Sequence, residues 1–137
     1  MKKLVLRTLV VVAVLAMVLG TFAACCCPIL DNGPDFDKIY NNLDSDIRYA
    51  WELGSDGSYL RADSNVYDLD DYSNWDIMES IEQTNKDLDL PDSLFNDMLQ
   101  TTWSMGKQTE TFEKQGVTVS WTYHPDKGLE VTYKKIN

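Results

Sequence analysis

Residues 36–137 predict an α+β domain, in which a small antiparallel sheet carries an αα-hairpin packed on one face. Apolar residues recur at helical spacing in the central segments, and they alternate with polar residues over 108–133. Short turns that contain Gly or Pro separate the alternating segments. The expected sheet consists of a β-hairpin and a C-terminal β-meander, with roughly five strands in all.

The domain is predicted to begin with a short helix, followed by the hairpin. The helical spacing is carried by Phe36, Ile39, Tyr40 and Leu43. The period then changes to two, as in a strand, at Ile47, Tyr49, Trp51 and Leu53. A turn-forming segment at 54–57 (GSDG) follows, and the second strand is expected over 59–62.

The αα-hairpin is predicted from two apolar stripes. The first helix has Ser73 as its candidate N-cap and is expected to end near Asp87. Its predicted apolar face consists of Trp75, Met78, Ile81, Asn85 and Leu88. Pro91 suits the first turn of the second helix, where its missing N–H costs nothing. The stripe of that helix is Leu94, Phe95, Met98, Leu99 and Thr102, and Gly106 is the expected stop.

The β-meander is predicted to have strands at 108–112, 117–123 and 129–133, with turns at 114–116 and 124–128. Trp121 and Tyr123 share one face of the middle strand with two valines, so both are expected in the core. Trp103 departs from the stripe of its helix and is expected at the surface.

Charge is distributed unevenly along the chain. The sequence has 22 acidic and 12 basic residues and one histidine, for a net charge of −10. Lys2, Lys3 and Arg7 precede every acid, which leaves 9 bases against 22 acids from residue 31 onward, a net charge of −13. This balance argues against nucleic acid or an anionic lipid surface as a partner, because both require a basic patch.

The N-terminus has the pattern of a secretory signal peptide: a basic start at 1–7, an apolar run at 9–19 and small residues before Cys25. Residues 22–25 (FAAC) resemble the lipobox of bacterial lipoproteins, although Phe22 stands where that family prefers Leu, Val or Ile. The resemblance implies cleavage after Ala24 and a lipid on Cys25. The expected organisation is a signal peptide at 1–24, a lipidated tether at 25–35 and an extracytoplasmic domain at 36–137, held to the cell membrane by the lipid anchor.

An uncleaved membrane anchor is the second interpretation of the same segment. Residues 8–30 carry no charge, and about 20 apolar residues suffice to span a bilayer. Both interpretations place residues 31–137 outside the cytoplasm, because the bases precede the apolar run and the acids follow it. The three cysteines at 25–27 are adjacent, which suits neither a structural disulfide nor a zinc site.

Three segments of the domain resemble a domain found in secreted or membrane-anchored proteins of Gram-positive bacteria. They are 68–72 (DLDDY), 90–94 (LPDSL) and 116–133 (GVTVSWTYHPDKGLEVTY), and the resemblance covers about residues 50–135. It implies the location and an intact fold. It implies no activity.

The acidic segment 63–71 is the main candidate for ion binding. Its oxygen ligands, of the kind that calcium prefers, are Asp63, Asn65, Asp68, Asp70 and Asp71. The spacing does not match an EF-hand, because counting Asp63 as the first position puts Asp68 where the loop requires Gly. His124 is the only histidine and is expected in a turn, so the domain lacks the ligands of a zinc site.

The sequence therefore predicts a non-catalytic binding or structural module at the cell envelope, with no cofactor and with an envelope protein or a glycan as partner. One alternative is calcium-dependent binding through 63–71. Another is a small carboxylate-dependent cell-wall hydrolase, which would need two carboxyl groups held across a cleft. The candidate stacking surface for a glycan or protein consists of Trp51, Tyr59, Trp75, Trp103, Trp121 and Tyr123.

Overall fold

Five antiparallel strands form one sheet in the computed structural model, which describes residues 33–64 and 72–136. The strands are β1 (Trp51–Leu53), β2 (Tyr59–Asp63), β3 (Gln108–Phe112), β4 (Val117–His124) and β5 (Gly128–Lys135). Their order across the sheet is β1-β2-β5-β4-β3, so the β1–β2 hairpin joins the C-terminal meander through β5. The predicted α+β fold, with its hairpin and its meander, is confirmed.

The described residues form three α-helices, namely α1 (Phe36–Asn42), α2 (Tyr72–Asp87) and α3 (Asp92–Gln100). The three helices pack on one face of the sheet, because apolar and polar side chains alternate along the strands and the apolar ones share that face. On that face the side chains of Leu60, Val119 and Val131 are fully buried. Polar residues of the same strands, such as Thr118 and Thr132, lie on the opposite face and are half-buried.

Two buried tryptophans connect the sheet to the helices by hydrogen bonds. Trp51 Nε1 donates to Ser80 Oγ at 3.1 Å, and Ser80 Oγ donates to a carbonyl oxygen one turn earlier in α2. Trp121 Nε1 donates to Thr101 Oγ1 at 2.8 Å, and Thr101 Oγ1 donates to the carbonyl oxygen of Asp97 in α3. Each buried indole N–H is thereby satisfied, which a buried polar group requires.

A third polar contact lies in the centre of the core. The Tyr133 hydroxyl donates to Asn85 Oδ1 at 2.7 Å, and both residues are buried. The Trp51 ring stacks on the Tyr133 ring, with centroids 6.4 Å apart. This contact fixes α2, which carries Asn85, against β5, the central strand of the sheet.

Burial makes the stability of the domain sensitive to high pH. Desolvation raises the pKa of Tyr133 above its ordinary value of 10.0, so the folded protein keeps the phenol neutral. Above pH 10 the unfolded chain releases this proton and the folded chain does not. We therefore expect Tyr133 to cost about 1.4 kcal/mol of unfolding free energy per pH unit above pH 10, with no such contribution below it. Urea unfolding between pH 9 and 11.5 should show the advantage of the wild type over Tyr133→Phe shrinking at that rate, and a constant difference would contradict the burial.

The first predicted strand is wrong in its N-terminal half. β1 begins at Trp51, and Arg48–Ala50 forms a 3₁₀ turn. The Arg48 guanidinium accounts for this, because its Nη2 donates to the carbonyl oxygens of Asn41 and Leu43 at the end of α1. The alternation of Ile47 and Tyr49 therefore coincides with a turn and not with strand pairing.

The predicted buried face of α2 is also wrong in part. Trp75 is 77% exposed, whereas Ile77 and Ile81 are buried together with three polar residues of the helix, Ser80, Thr84 and Asn85. The true inward stripe is therefore mixed in polarity, which hides it from a search for apolar periodicity. The helix begins at Tyr72, so Ser73 lies inside the first turn and not at the N-cap.

The helix α3 is shorter than predicted and ends at Gln100. Thr101 leaves the helix with an extended backbone, ψ 130°, where its hydroxyl can receive the Trp121 indole. Leu99 and Thr102 are exposed, contrary to prediction. At the start of the helix, Pro91 occupies the N-cap and not the first turn. Gly106 ends a separate 3₁₀ turn, Trp103–Met105.

Position 106 requires glycine because of its backbone conformation and not because a side chain would clash with its neighbours. Its φ of 66° and ψ of −157° fall in a region that only glycine adopts readily, while a Cβ there would meet nothing within 4 Å. We expect Gly106→Ala to lower the free energy of unfolding by about 1–3 kcal/mol. Gly116→Asn is the control, because Gly116 has an ordinary left-handed conformation that Asn tolerates. Equal costs in urea unfolding would contradict this account.

Candidate functional site

An apolar groove of about 280 Å³ lies where both helices of the αα-hairpin meet the end of the sheet. Its lining combines α2, α3, β4, β5, the turn between these strands and the residue after β2: Ser64, Met78, Met98, Leu99, Tyr123, Pro125, Gly128 and Leu129. We call this site the apolar groove. Its lining consists mainly of aliphatic, thioether and aromatic side chains.

The floor and the rim of the apolar groove differ in burial. Met98 and Leu129 are buried and form its floor, since they face the sheet core. Leu99, the next position around α3, is 55% exposed at the rim. Tyr123 is 37% exposed, so the prediction that it lies in the core is wrong, whereas Trp121 is buried as predicted. Trp121 and Tyr123 share one face of β4, but only Trp121, which lies farther from the end of the strand, is buried.

Two indoles of the hairpin region are exposed. Trp75 precedes Met78 by one turn of α2, and such positions are neighbours on a helix surface. Trp103 follows the end of α3, and it is 68% exposed, which confirms the prediction for this residue. With roughly 150–250 Å² per aromatic side chain, the two indoles offer about 200–350 Å² of apolar surface to solvent.

The described chain begins at the opposite end of α2. Pro34 and Asp35 line a second cleft, of about 450 Å³, together with Asp87 and Asp89 at the end of that helix. Helical rise puts this end of α2 about 20 Å from Trp75.

Two of the three carboxylates that line the second cleft have structural roles. Asp35 Oδ1 accepts the backbone N–H of Lys38 and caps α1. Asp87 Oδ1 accepts a hydrogen bond from Gln83 Nε2 at 2.8 Å, a pairing along the surface of α2.

An ion-paired arginine lies on the face of the sheet away from the helices. Arg61 Nη2 contacts Glu130 Oε2 at 2.6 Å, and Arg61 Nη1 lies 3.7 Å from Glu52 Oε2. The hydrogen bond to Glu130 raises the pKa of Arg61, so the guanidinium stays charged. The three side chains come from β1, β2 and β5, and their contacts connect neighbouring strands.

Of the predicted calcium ligands, Asp63 lies in the described part of the chain. Asp63 is the last residue of β2, half-buried and opposite Glu130 in the strand register. The other weak calcium candidates, Asn65, Asp68, Asp70 and Asp71, lie outside the described residues, as does Cys25. Over 33–64 and 72–136, no group of three His, Cys, Asp or Glu side chains could hold a metal ion. No helix in the same two ranges is long and apolar enough to cross a membrane.

Local hydrogen bonds engage the one histidine of the sequence and a carboxylate of the β1–β2 turn. His124 is the last residue of β4, and its Nδ1 accepts the backbone N–H of Asp126 at 3.1 Å. In the β1–β2 turn, hydrogen bonds from Ser58 lower the pKa of Asp56. A general acid for glycoside hydrolysis needs the opposite shift, toward a raised pKa.

The apolar groove is not visible in the sequence because its residues come from four separate elements and two connecting segments. The sequence predicts Met78 and Met98 on helix stripes and Leu129 in a strand, and no local pattern indicates that they share an opening. The one local signal is the departure of Trp103 from the stripe of its helix. No family model, curated protein or solved structure matches this chain.

Proposed function

We propose that this chain is a lipid-anchored extracytoplasmic binding domain, attached to the cell membrane through Cys25, which presents the apolar groove to a partner in the cell envelope. It acts by binding and not by catalysis. The anchor is supported by the signal-peptide pattern and the lipobox-like residues 22–25. The outward orientation is supported by the leading bases and by the net charge of −13 from residue 31 onward.

The observation that carries the binding role is the exposure of large apolar side chains, one of which, Leu99, lines the apolar groove. Trp75 and Trp103 are 77% and 68% exposed, and Leu99 and Met105 are also exposed. Exposed apolar surface of this kind costs solubility unless a partner covers it, and tryptophan is enriched among residues that dominate binding energy.

The charge of the domain favours a partner over the bilayer, because an acidic surface disfavours contact with anionic lipid.

Mass spectrometry of the membrane-extracted protein tests the anchor. We expect a mature chain that begins at Cys25 and carries the mass of acyl chains. An unmodified Cys25 or an intact Met1 would contradict lipidation.

Affinity capture from cell-envelope extract tests the binding role. We expect the wild type to retain an envelope component that Leu99→Asn retains at least about tenfold less, because Leu99 is exposed at the rim of the groove. Ile136→Asn is the matched control, since Ile136 is similarly exposed but lies beyond β5. Equal capture by the wild type and Leu99→Asn would contradict a role for the groove.

A further inference from the structure

We propose that β3, the edge strand at the C-terminal side of the sheet, binds an extended peptide segment of a partner protein. The segment adds to the sheet as a further antiparallel strand and places a Lys or Arg side chain opposite Glu110. This interaction surface is separate from the apolar groove and goes beyond the proposed function. The backbone direction of β3, the contrast with the other edge strand and the charge at its centre support it.

The outer backbone groups of β3 have no partner. Ile136 N–H donates to the carbonyl oxygen of Gly116, in the register of β5 and β4, and hydrogen-bonded residues alternate along antiparallel strands. The backbone groups of Val119 and the other odd-numbered residues of β4 therefore face β3, where they meet even-numbered residues. Thr109 and Thr111 consequently direct their N–H and C=O groups away from the sheet. Over 33–64 and 72–136, no hydrogen bond engages these four groups.

The side chains of β3 leave this edge accessible. Thr109, Glu110 and Thr111 are exposed. The strand pairs with β4 over five consecutive residues without a bulge, and it contains no proline. Bulges, prolines and charged side chains are the usual features that close a sheet edge, and β3 has only the charge of Glu110.

The opposite edge strand, β1, is already partly closed. It has three residues, and the hydrogen bond from Gly54 N–H to the carbonyl oxygen of Tyr59 shows that Trp51 and Leu53 face outward. The N–H of Trp51 donates to the carbonyl oxygen of Arg48 in the preceding 3₁₀ turn. Of the two edges of the described sheet, β3 is therefore the one that can accept a strand over its whole length.

The charge of Glu110 selects the side chain of the added strand. On its face of the sheet, Glu110 has Gln108, Phe112 and Val119 as neighbours, none of which is basic. Among the described residues, no salt bridge includes Glu110. A residue placed opposite Glu110 in an added strand lies on the same face, with the two Cβ atoms about 5 Å apart. Lys or Arg at that position pairs with the carboxylate.

The same charge opposes a second copy of this chain as the occupant. Two β3 strands related by a two-fold axis overlap completely only when Glu110 lies opposite Glu110 of the second copy. Like charges directly opposite each other are destabilising. A shift of the register by two residues separates the carboxylates but reduces the overlap from five residues to three. A separate segment with a basic side chain satisfies both the backbone groups and the carboxylate.

The test uses the full chain in nanodiscs of neutral phosphatidylcholine, with empty nanodiscs as the blank. The probe is a fluorescent synthetic peptide of about nine residues, with Lys at its centre, Thr on either side of it and Val beyond. One control peptide has Glu in place of Lys, and the other is N-methylated at both Thr residues, whose N–H groups would donate to β3. By fluorescence anisotropy, we expect the Lys peptide to bind about fivefold more tightly than the Glu peptide and at least about tenfold more tightly than the N-methylated one.

Variants and amide hydrogen exchange locate the peptide on the protein. Glu110→Lys is expected to reverse the preference, so that the Glu peptide binds more tightly, whereas Glu79→Lys, the same change on exposed α2, leaves the preference unchanged. Thr109→Pro removes an outward N–H, keeps the hydrogen bonds to β4 and should weaken the Lys peptide about tenfold. Leu99→Asn should leave its affinity unchanged, because Leu99 belongs to the apolar groove. Bound peptide should slow amide exchange over 108–112.

Four outcomes would overturn the inference. They are no binding of the Lys peptide up to about 1 mM, equal binding of the N-methylated peptide, an unreversed preference in Glu110→Lys, and exchange protection of 108–112 without peptide that grows with protein concentration. The last outcome would assign the edge to a second copy. If circular dichroism shows that Thr109→Pro does not fold, the N-methylated peptide supplies the same test from the side of the ligand.

Discussion

Trp121→Ala is expected to lower the free energy of unfolding by about 3–5 kcal/mol, the range for removing a buried aromatic side chain. Trp121 is 6% exposed on β4, between β5 and β3 in the sheet. Its removal opens a cavity beneath α3 and also leaves Thr101 without the indole N–H that now donates to it at 2.8 Å. Urea unfolding followed by far-ultraviolet circular dichroism measures the loss without relying on tryptophan emission.

Trp103→Ala is the matched control, because the same side chain is removed from a position that is 68% exposed. We expect its effect to stay within about 0.5 kcal/mol, as is usual for surface substitutions. Trp121→Phe separates packing from hydrogen bonding: it keeps most of the ring volume, loses the N–H and should cost about 1–2 kcal/mol. Comparable losses for Trp121→Ala and Trp103→Ala would contradict the assignment of one tryptophan to the core and the other to the surface.

The C-terminal half of the sheet could be predicted from the sequence because its strands have one buried face. Val117, Val119 and Trp121 alternate with Thr118 and Ser120, and a shift of one residue would expose all three apolar side chains. The turns at 54–57 and 124–128 contain residues with strong turn preferences, so the strand ends were also predictable to within one or two residues.

The αα-hairpin was harder to predict because its helices bury polar residues. Ser80, Thr84 and Asn85 lie on the inward face of α2, where Ser80 receives the Trp51 indole and Asn85 the Tyr133 hydroxyl. A search for apolar spacing consequently shifts the stripe onto Trp75, which is the most exposed large apolar side chain of the described residues. The end of α3 was missed for a related reason, since Thr101 leaves the helix to meet Trp121, 20 residues away in the chain.

Only part of the candidate site was within reach of sequence reasoning. The exposure of Trp103 could be predicted from its departure from the helical stripe. The apolar groove could not, because Met78, Leu99 and Leu129 meet only when both helices are packed on the sheet. The lipid anchor at Cys25 and the calcium ligands other than Asp63 lie outside the described residues and stay predictions.

The second large effect is expected at the buried pair of Asn85 and Tyr133. Asn85→Leu removes the acceptor that lies 2.7 Å from the Tyr133 hydroxyl and leaves only the carbonyl oxygen of Ile81, at 3.5 Å. A hydroxyl without a good partner in a fully buried position costs roughly 2–3 kcal/mol. Tyr133→Phe leaves Asn85 Oδ1 without its donor and should cost about 1–3 kcal/mol for the same reason.

The double variant Asn85→Leu/Tyr133→Phe distinguishes a lost hydrogen bond from lost packing. With both polar groups replaced by apolar groups of similar size, no buried donor or acceptor of this pair remains unsatisfied. We therefore expect the double variant to be more stable than the sum of the two single losses predicts, by about 1–3 kcal/mol in a double-mutant cycle. Additive losses would mean that the two side chains stabilise the contact between α2 and β5 independently, through packing alone, and that the hydrogen bond between them contributes nothing to the free energy of unfolding.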